Sequence, residues 1–145
     1  MIGRVLSTGS ATVTAEHVAD FARALGDPNP LYVDSEAGRR GPFGTVVAPP
    51  TYPIAFMTQA MAGGMETFLE LGLNFMTLVH GAQEFEYVRP IRAGETLTLT
   101  GRVADVYEKP GSSGMLDFVV LETEARDAAG AAVFFSRNTL ISRRA

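Results

Sequence analysis

The segment Val46 to Gly72, VVAPPTYPIAFMTQAMAGGMETFLELG, decides the fold. Its prolines at 49, 50 and 53 suit only the approach to a helix and its first turn, so a helix is expected to start near Thr51. Ile54, Ala55, Phe56 and Met57 follow one another without a polar break, so this helix is apolar nearly all round. A helix of that kind is stable in water only when other parts of the chain wrap it.

Downstream lie segments able to do the wrapping. Gln83 to Val88 alternates Glu84 and Glu86 with Phe85 and Tyr87, and Thr96 to Val106 alternates threonines with Leu97, Leu99 and Val103. Period-two alternation is the signature of a half-buried strand. Met115 to Ala125 and Ala131 to Ser142 read as two more strands, set off by turns at Lys109–Ser113 and Asp127–Gly130. Upstream, Val18, Phe21, Ala22 and Leu25 recur at helical spacing, with Thr14 as N-cap and Glu16 in the first turn. The polar face of this helix carries His17, Asp20 and Arg23, which makes His17 a solvated residue. Gly26 ends the helix, Pro28 and Pro30 prevent its resumption, and a Gly- and Arg-rich loop follows over Gly38–Gly44. The expected order is a small helix, a loop, one buried helix and a meander of long antiparallel strands, in one domain over residues 1–145.

Composition narrows the function classes. A chain of 145 residues, 46% hydrophobic and 19% charged, has the make-up of a soluble globular protein able to bury a core. No apolar run reaches the roughly 20 residues that span a bilayer. The absence of Cys removes thiolate nucleophiles, disulfides and Cys-based metal sites, and MIGRVLSTGS has no apolar signal core, so a cytoplasmic location is expected. A net charge of −4 argues against nucleic acid as a partner.

Between the two helices stands GDPNPLYVD, Gly26 to Asp34. Taken with the apolar-Ala-Pro approach at Val47–Pro49 and with the segment Phe85-Glu86-Tyr87-Val88-Arg89-Pro90-Ile91, followed by Gly94-Glu95, it resembles the MaoC-like (R)-specific enoyl-CoA hydratase/dehydratase family. The nearest subfamily is the N-terminal MaoC-like, or FAS1-like, dehydratase group. The resemblance implies the hot-dog fold, an α+β architecture in which a long curved antiparallel sheet wraps a central helix. It also implies hydration of trans-2-enoyl-CoA, or dehydration of the (R)-3-hydroxyacyl thioester, with no metal or other bound cofactor. Family catalysts use an Asp and a His five residues apart in the loop, plus a backbone N–H of a His-Gly pair at the start of the buried helix. Carried over by position, Asp27 matches the Asp, Asn29 the Asn, and Tyr32 stands where the His is expected. Ala48-Pro49 occupies the His-Gly position, and proline has no N–H to give. A phenol with an ordinary pKa near ~10 is a poor base at neutral pH beside an imidazole near ~6.5, and losing one oxyanion donor costs on the order of 100- to 1,000-fold.

Each of these residues also has a plain structural reading. Asp27 and Asn29 are natural turn formers, and their spacing lacks the further ligands and the glycine of a calcium loop. Tyr32 either takes part in catalysis or packs its ring over the start of the helix. His80 precedes the aromatic strand and is a further catalytic candidate, an alternative to Tyr32 as partner of Asp27 in a dehydratase on the same fold; with unbroken alternation it shares a face with Glu84 and Glu86, at the rim. Tyr52 and Met57 fall on the helix that would wall an acyl tunnel, or in the core. Arg89 and Arg92, flanking Pro90, suit CoA phosphates or a solvated rim equally. The leading expectation is a tunnel-shaping subunit that binds an acyl-CoA or acyl-carrier thioester, either as a homodimer or as a heterodimer with a catalytic MaoC-like subunit. A non-catalytic homodimeric thioester binder and a thioesterase-like enzyme are the alternatives.

Overall fold

The structure, a computed structural model, describes residues 1–55 and 69–143. The strands are β1 (Val5–Thr12), β2 (Val79–Tyr87), β3 (Thr96–Gly111), β4 (Gly114–Arg126) and β5 (Ala132–Arg143). Helices α1 (Ala15–Leu25), α2 (Pro30–Val33) and α3 (Ser35–Arg40) follow β1, and a single 3-10 turn (Phe75–Thr77) precedes β2.

Helix α1 forms where its caps place it. Thr14 accepts from the His17 amide at 3.2 Å, and Gly26 closes the helix in the left-handed region at φ 71°, where a side chain would be strained. The stretch expected to be loop contains α3, because Asp34 caps it by accepting from the Glu36 and Ala37 amides. Residues 53–55 are helical after i→i+3 turns over Pro49–Tyr52 and Thr51–Ile54, in agreement with a helix starting near Thr51. The expectations for Phe56 and Met57 lie outside the described residues. Met76 is 90% exposed.

The sheet is fully antiparallel in the order β1-β3-β4-β5-β2. Two features differ from the expected meander. Strand β1 was not anticipated, since VLSTGSAT holds Gly and Ser among few large apolar residues; it forms because it pairs along the edge of β3 from Thr12–Thr96 to Val5–Arg102. Strand β2 leaves the sequential order and pairs with β5, so that only β3, β4 and β5 form a meander.

Alternation delivers two apolar clusters to the inner face. One gathers Val13, Val18, Tyr52, Ile91, Leu97, Leu99, Ala125 and Phe134; the other gathers Leu71, Leu73, Val103, Val119, Leu121 and Leu140. Phe134 is fully buried and meets Phe85 edge-on and Tyr87 at a tilt, with ring centres 6.4 and 5.7 Å away. The outer face is polar: Glu122 on β4 pairs with Arg102 at 3.0 Å and Arg137 at 3.2 Å, exposed contacts worth little individually.

A partly buried ion network closes the connection from β2 to β3. Arg89 donates to Glu95 through both terminal nitrogens, at 3.2 and 2.7 Å, and to Asp127 at 3.1 Å. Asp127 also accepts from the Ala129 and Ala131 amides in the turn before β5. Those amide bonds, with the Arg89 guanidinium beside them, hold the Asp127 carboxyl below its usual range.

Two outcomes follow from this packing. Phe134→Ala should cost about 3–5 kcal/mol, read as a lower midpoint in urea unfolding, because it empties the centre of an aromatic cluster. Because the pKa of Asp127 is depressed on folding, its stabilising contribution is present above the unfolded value of about 3.9 and is lost as pH falls through the folded one. Asp127→Asn should therefore lower Tm at pH 7 and flatten the fall of Tm between pH 4.5 and 2.5, measured by thermal denaturation across that range.

Candidate functional site

The residues singled out around the loop converge. The Asp27 amide donates to Ala22 O at the end of α1, and its Oδ1 accepts from the Asn29 amide at 3.0 Å. Asn29 Oδ1 in turn accepts from the Leu31 amide at 3.0 Å, capping α2 with Pro30 at its first position. These are two successive side-chain turns, so the loop is held by its own Asp and Asn. Both carboxylate and carboxamide are half-buried. A cavity of about 420 Å³ borders Asp27, lined by Arg23, Gly26, Pro28 and Val33.

Backbone contacts bring this loop to the start of the central helix. The Val47 amide donates to Leu31 O at 3.1 Å, the Ala48 amide to Ile91 O at 2.9 Å, and the Ala93 amide to Val46 O at 2.9 Å. Tyr32 is half-buried against the cluster that contains Val46, Ala48 and Tyr52. Asp27, Asn29, Tyr32, Ala48, Pro49 and Tyr52 thus belong to one neighbourhood. Within it, residues 47–50 hold no free backbone donor: two amides are spent inside the protein and Pro49 and Pro50 have none.

Two phenols, one buried and one half-buried, border the same corner. Tyr52 is fully buried, and its hydroxyl lies 3.1 Å from His17 Nδ1. Tyr87 donates to Pro50 O at 2.6 Å. Burial pushes both phenols above their usual range, so both stay protonated at neutral pH. His17 is exposed, as its place on α1 implied, yet it carries a contact that sequence reasoning missed. The signal available was its position on the first turn of α1, where one side of the polar face borders the buried stripe.

His80 lies elsewhere. It stands near the start of β2, whereas Tyr87 at the other end reaches the helix start, and seven residues of strand span roughly 23 Å. A bulge between His80 and Ala82 breaks the alternation assumed for it: His80 pairs with Leu140 and so shares the face of Leu140, not that of Glu84. The sequence marks the bulge with Gly81, where a Cβ would come within 2.5 Å of Ile141 Cδ1. His80 is exposed at the rim all the same.

The two arginines separate in role. Arg89 turns its guanidinium to Glu95, Asp127 and Pro90 O, and Glu95 raises its pKa further. Arg92 is exposed, its backbone amide bonded to Glu95 at 2.8 Å and Val47 bridging to it. Among the described residues no group of three or more His, Cys, Asp and Glu side chains is arranged to hold a metal ion, and no helix is long and apolar enough to cross a membrane.

Comparison with known proteins places this architecture. Residues 1–135 match the family described as FAS1-like, dehydratase domain region. A UPF0336 protein of Streptomyces avermitilis is 38% identical over 133 residues, covering 92% of this chain and 85% of that protein. Among solved structures, the C-terminally truncated HadBC (3R-hydroxyacyl-ACP dehydratase) complex of Mycobacterium tuberculosis superposes with a TM-score of 0.78 at 22% identity, over 96% of each chain. The (R)-hydratase of A. caviae involved in PHA biosynthesis gives 0.72 at 17% identity, over 99% of this chain and 97% of that one. The sheet order, the loop before the helix and these superpositions agree on an α+β hot-dog fold, and the chain belongs to the FAS1-like dehydratase domain family.

Proposed function

We propose that this chain is the tunnel-shaping subunit of an (R)-specific enoyl-thioester hydratase or 3-hydroxyacyl-thioester dehydratase, paired with a second hot-dog subunit that carries an intact Asp/His loop. The observation that carries this reading is the chemistry missing at an otherwise preserved site. The loop keeps Asp27 and Asn29 in a self-bonded turn against the helix start, but Tyr32 replaces the base and residues 47–50 have no amide free for a thioester oxygen. Water addition across the enoyl double bond needs a group to deprotonate water, a proton delivered to the α carbon, and a donor for the charge growing on the thioester oxygen. A phenol at residue 32 is a poor base for deprotonating water, and the partner's loop would supply that base together with the proton and the oxyanion donor.

The HadBC neighbour, a complex of dehydratase subunits, supports the paired arrangement. So does β2, which among the described residues is an edge strand with no neighbour along its outer side, a feature that proteins usually cover. In this reading Arg92, exposed at the bridge to Val47, meets the phosphates of CoA or of a carrier's pantetheine arm, while Arg89 braces the connection beneath it. Tyr32 and Ala48 face the thioester end of the tunnel, with the fully buried Tyr52 supporting them from the core. Met57 is assigned to the tunnel wall from its sequence position alone.

The test is assembly followed by assay. Purified alone, the chain should form a dimer by light scattering and hydrate crotonyl-CoA well below the ordinary enzyme range of about 1 to 1,000 per second. Supplied with a hot-dog partner bearing the Asp and His, it should enter a heterodimer with turnover in that range. A fast isolated chain would overturn the reading in favour of a self-sufficient enzyme. A stable homodimer that binds enoyl-CoA but accepts no partner would favour a non-catalytic thioester binder.

Repairing the site gives a second outcome. Tyr32→His restores a base beside Asp27, and Ala48→His with Pro49→Gly returns one amide at the helix start. Each repair alone should change hydration little, because groups acting as one unit are non-additive, whereas the triple variant should gain at least tenfold over the parent in a crotonyl-CoA assay.

A further inference from the structure

The inner face of the sheet is not uniformly apolar. Cross-strand pairing sets Ser7, Gly101, Thr123 and Ser136 in one row, and Val103, Leu121 and Asn138 in the next. Ser7, Thr123 and Ser136 are all buried, at 9%, 6% and 4% exposure. The row runs between the two apolar clusters, with Leu99, Ala125 and Phe134 on one side and Val103, Leu121 and Leu140 on the other. A polar band thus crosses the middle of the core.

Two further observations meet at this band. Asn138 Oδ1 is buried and has no hydrogen-bond partner, which holds for no other buried side-chain nitrogen or oxygen among the described residues. Beside it lies a cavity of about 20 Å³, lined by Leu6, Gly101, Arg102 and Leu121 together with Thr123, Ser136 and Asn138. A cavity needs roughly 10–15 Å³ of such volume, and two to four polar neighbours, to hold one water molecule. This one meets both conditions.

We propose that Thr123, Ser136 and Asn138 form an internal binding site for a single water molecule. The water donates one hydrogen to Asn138 Oδ1 and exchanges its remaining bonds with the hydroxyls of Thr123 and Ser136, which both donate and accept. It completes the polar band from β4 to β5 and so ties the two apolar clusters through one shared centre. It also fixes register: a one-residue slip of β5 would carry Ser136 and Asn138 to the opposite face and leave the site without its acceptor. The site stands independently of any catalytic partner.

A crystal structure of the full chain at a resolution that orders internal solvent tests this directly. An isolated water about 2.7–3.2 Å from Asn138 Oδ1 is expected. An empty cavity, or a protein donor bonded to that oxygen, would overturn the proposal. In solution, Asn138→Leu keeps similar bulk but removes the acceptor, and should lower Tm by roughly 3–8 °C because the water and the two hydroxyls lose a partner. An unchanged or raised Tm would overturn it, since that is what deleting an unsatisfied oxygen from a dry cavity produces. If the variant fails to fold, the crystallographic readout on the unaltered chain still decides.

Discussion

Three backbone hydrogen bonds hold the functional corner of this protein: Val47 to Leu31, Ala48 to Ile91, and Ala93 to Val46. They stitch together segments distant in sequence: the loop after α1, the start of the central helix, and the connection from β2 to β3. Each amide used this way is satisfied within the protein, which makes the corner rigid and withdraws those donors from any ligand. The bonds that build this corner thus also occupy the amides of Val47 and Ala48.

The ion network around Arg89 secures the same corner from below. Glu95 accepts from the Arg89 side chain and from the Arg92 amide, and Asp127 joins the turn before β5 to the same guanidinium. The geometry is two-pronged on Glu95 and partly shielded, the circumstance in which an arginine contributes orientation as well as charge. At the far end of the sheet Met76 and Val79 are exposed, and Thr77 Oγ1 ties the 3-10 turn to β5 by donating to Arg143 O at 3.1 Å and accepting from the Arg143 amide at 3.0 Å.

The loop itself is held by side chains that its own turns require. Asp27 and Asn29 spend their side-chain oxygens on backbone amides two residues on, so the turn needs them whether or not catalysis does. Tyr32 fills the adjoining space with a ring packed on the core. A turn of this kind is held by its own side chains whatever residue stands at position 32.

Much of this was legible in the sequence because it depends on local rules. Period-two alternation located β2 to β5, Thr14 and Gly26 bounded α1, and the prolines set the helix start, since each is decided by neighbours within a few residues. The loop, the Ala-Pro approach and the aromatic strand also gave the family correctly. What only the tertiary structure decided involves partners far apart along the chain. Strand β1 exists because β3 offers it an edge, β2 pairs with β5 because the sheet closes that way, and the face of His80 follows from a bulge against β5. Arg89 finds Asp127, Tyr52 finds His17, and Asn138 comes to lie beside Thr123 only once the sheet has formed. Local periodicity fixes which side chains an element presents to a face, but which of them meet is set by register and crossing, which no local pattern encodes.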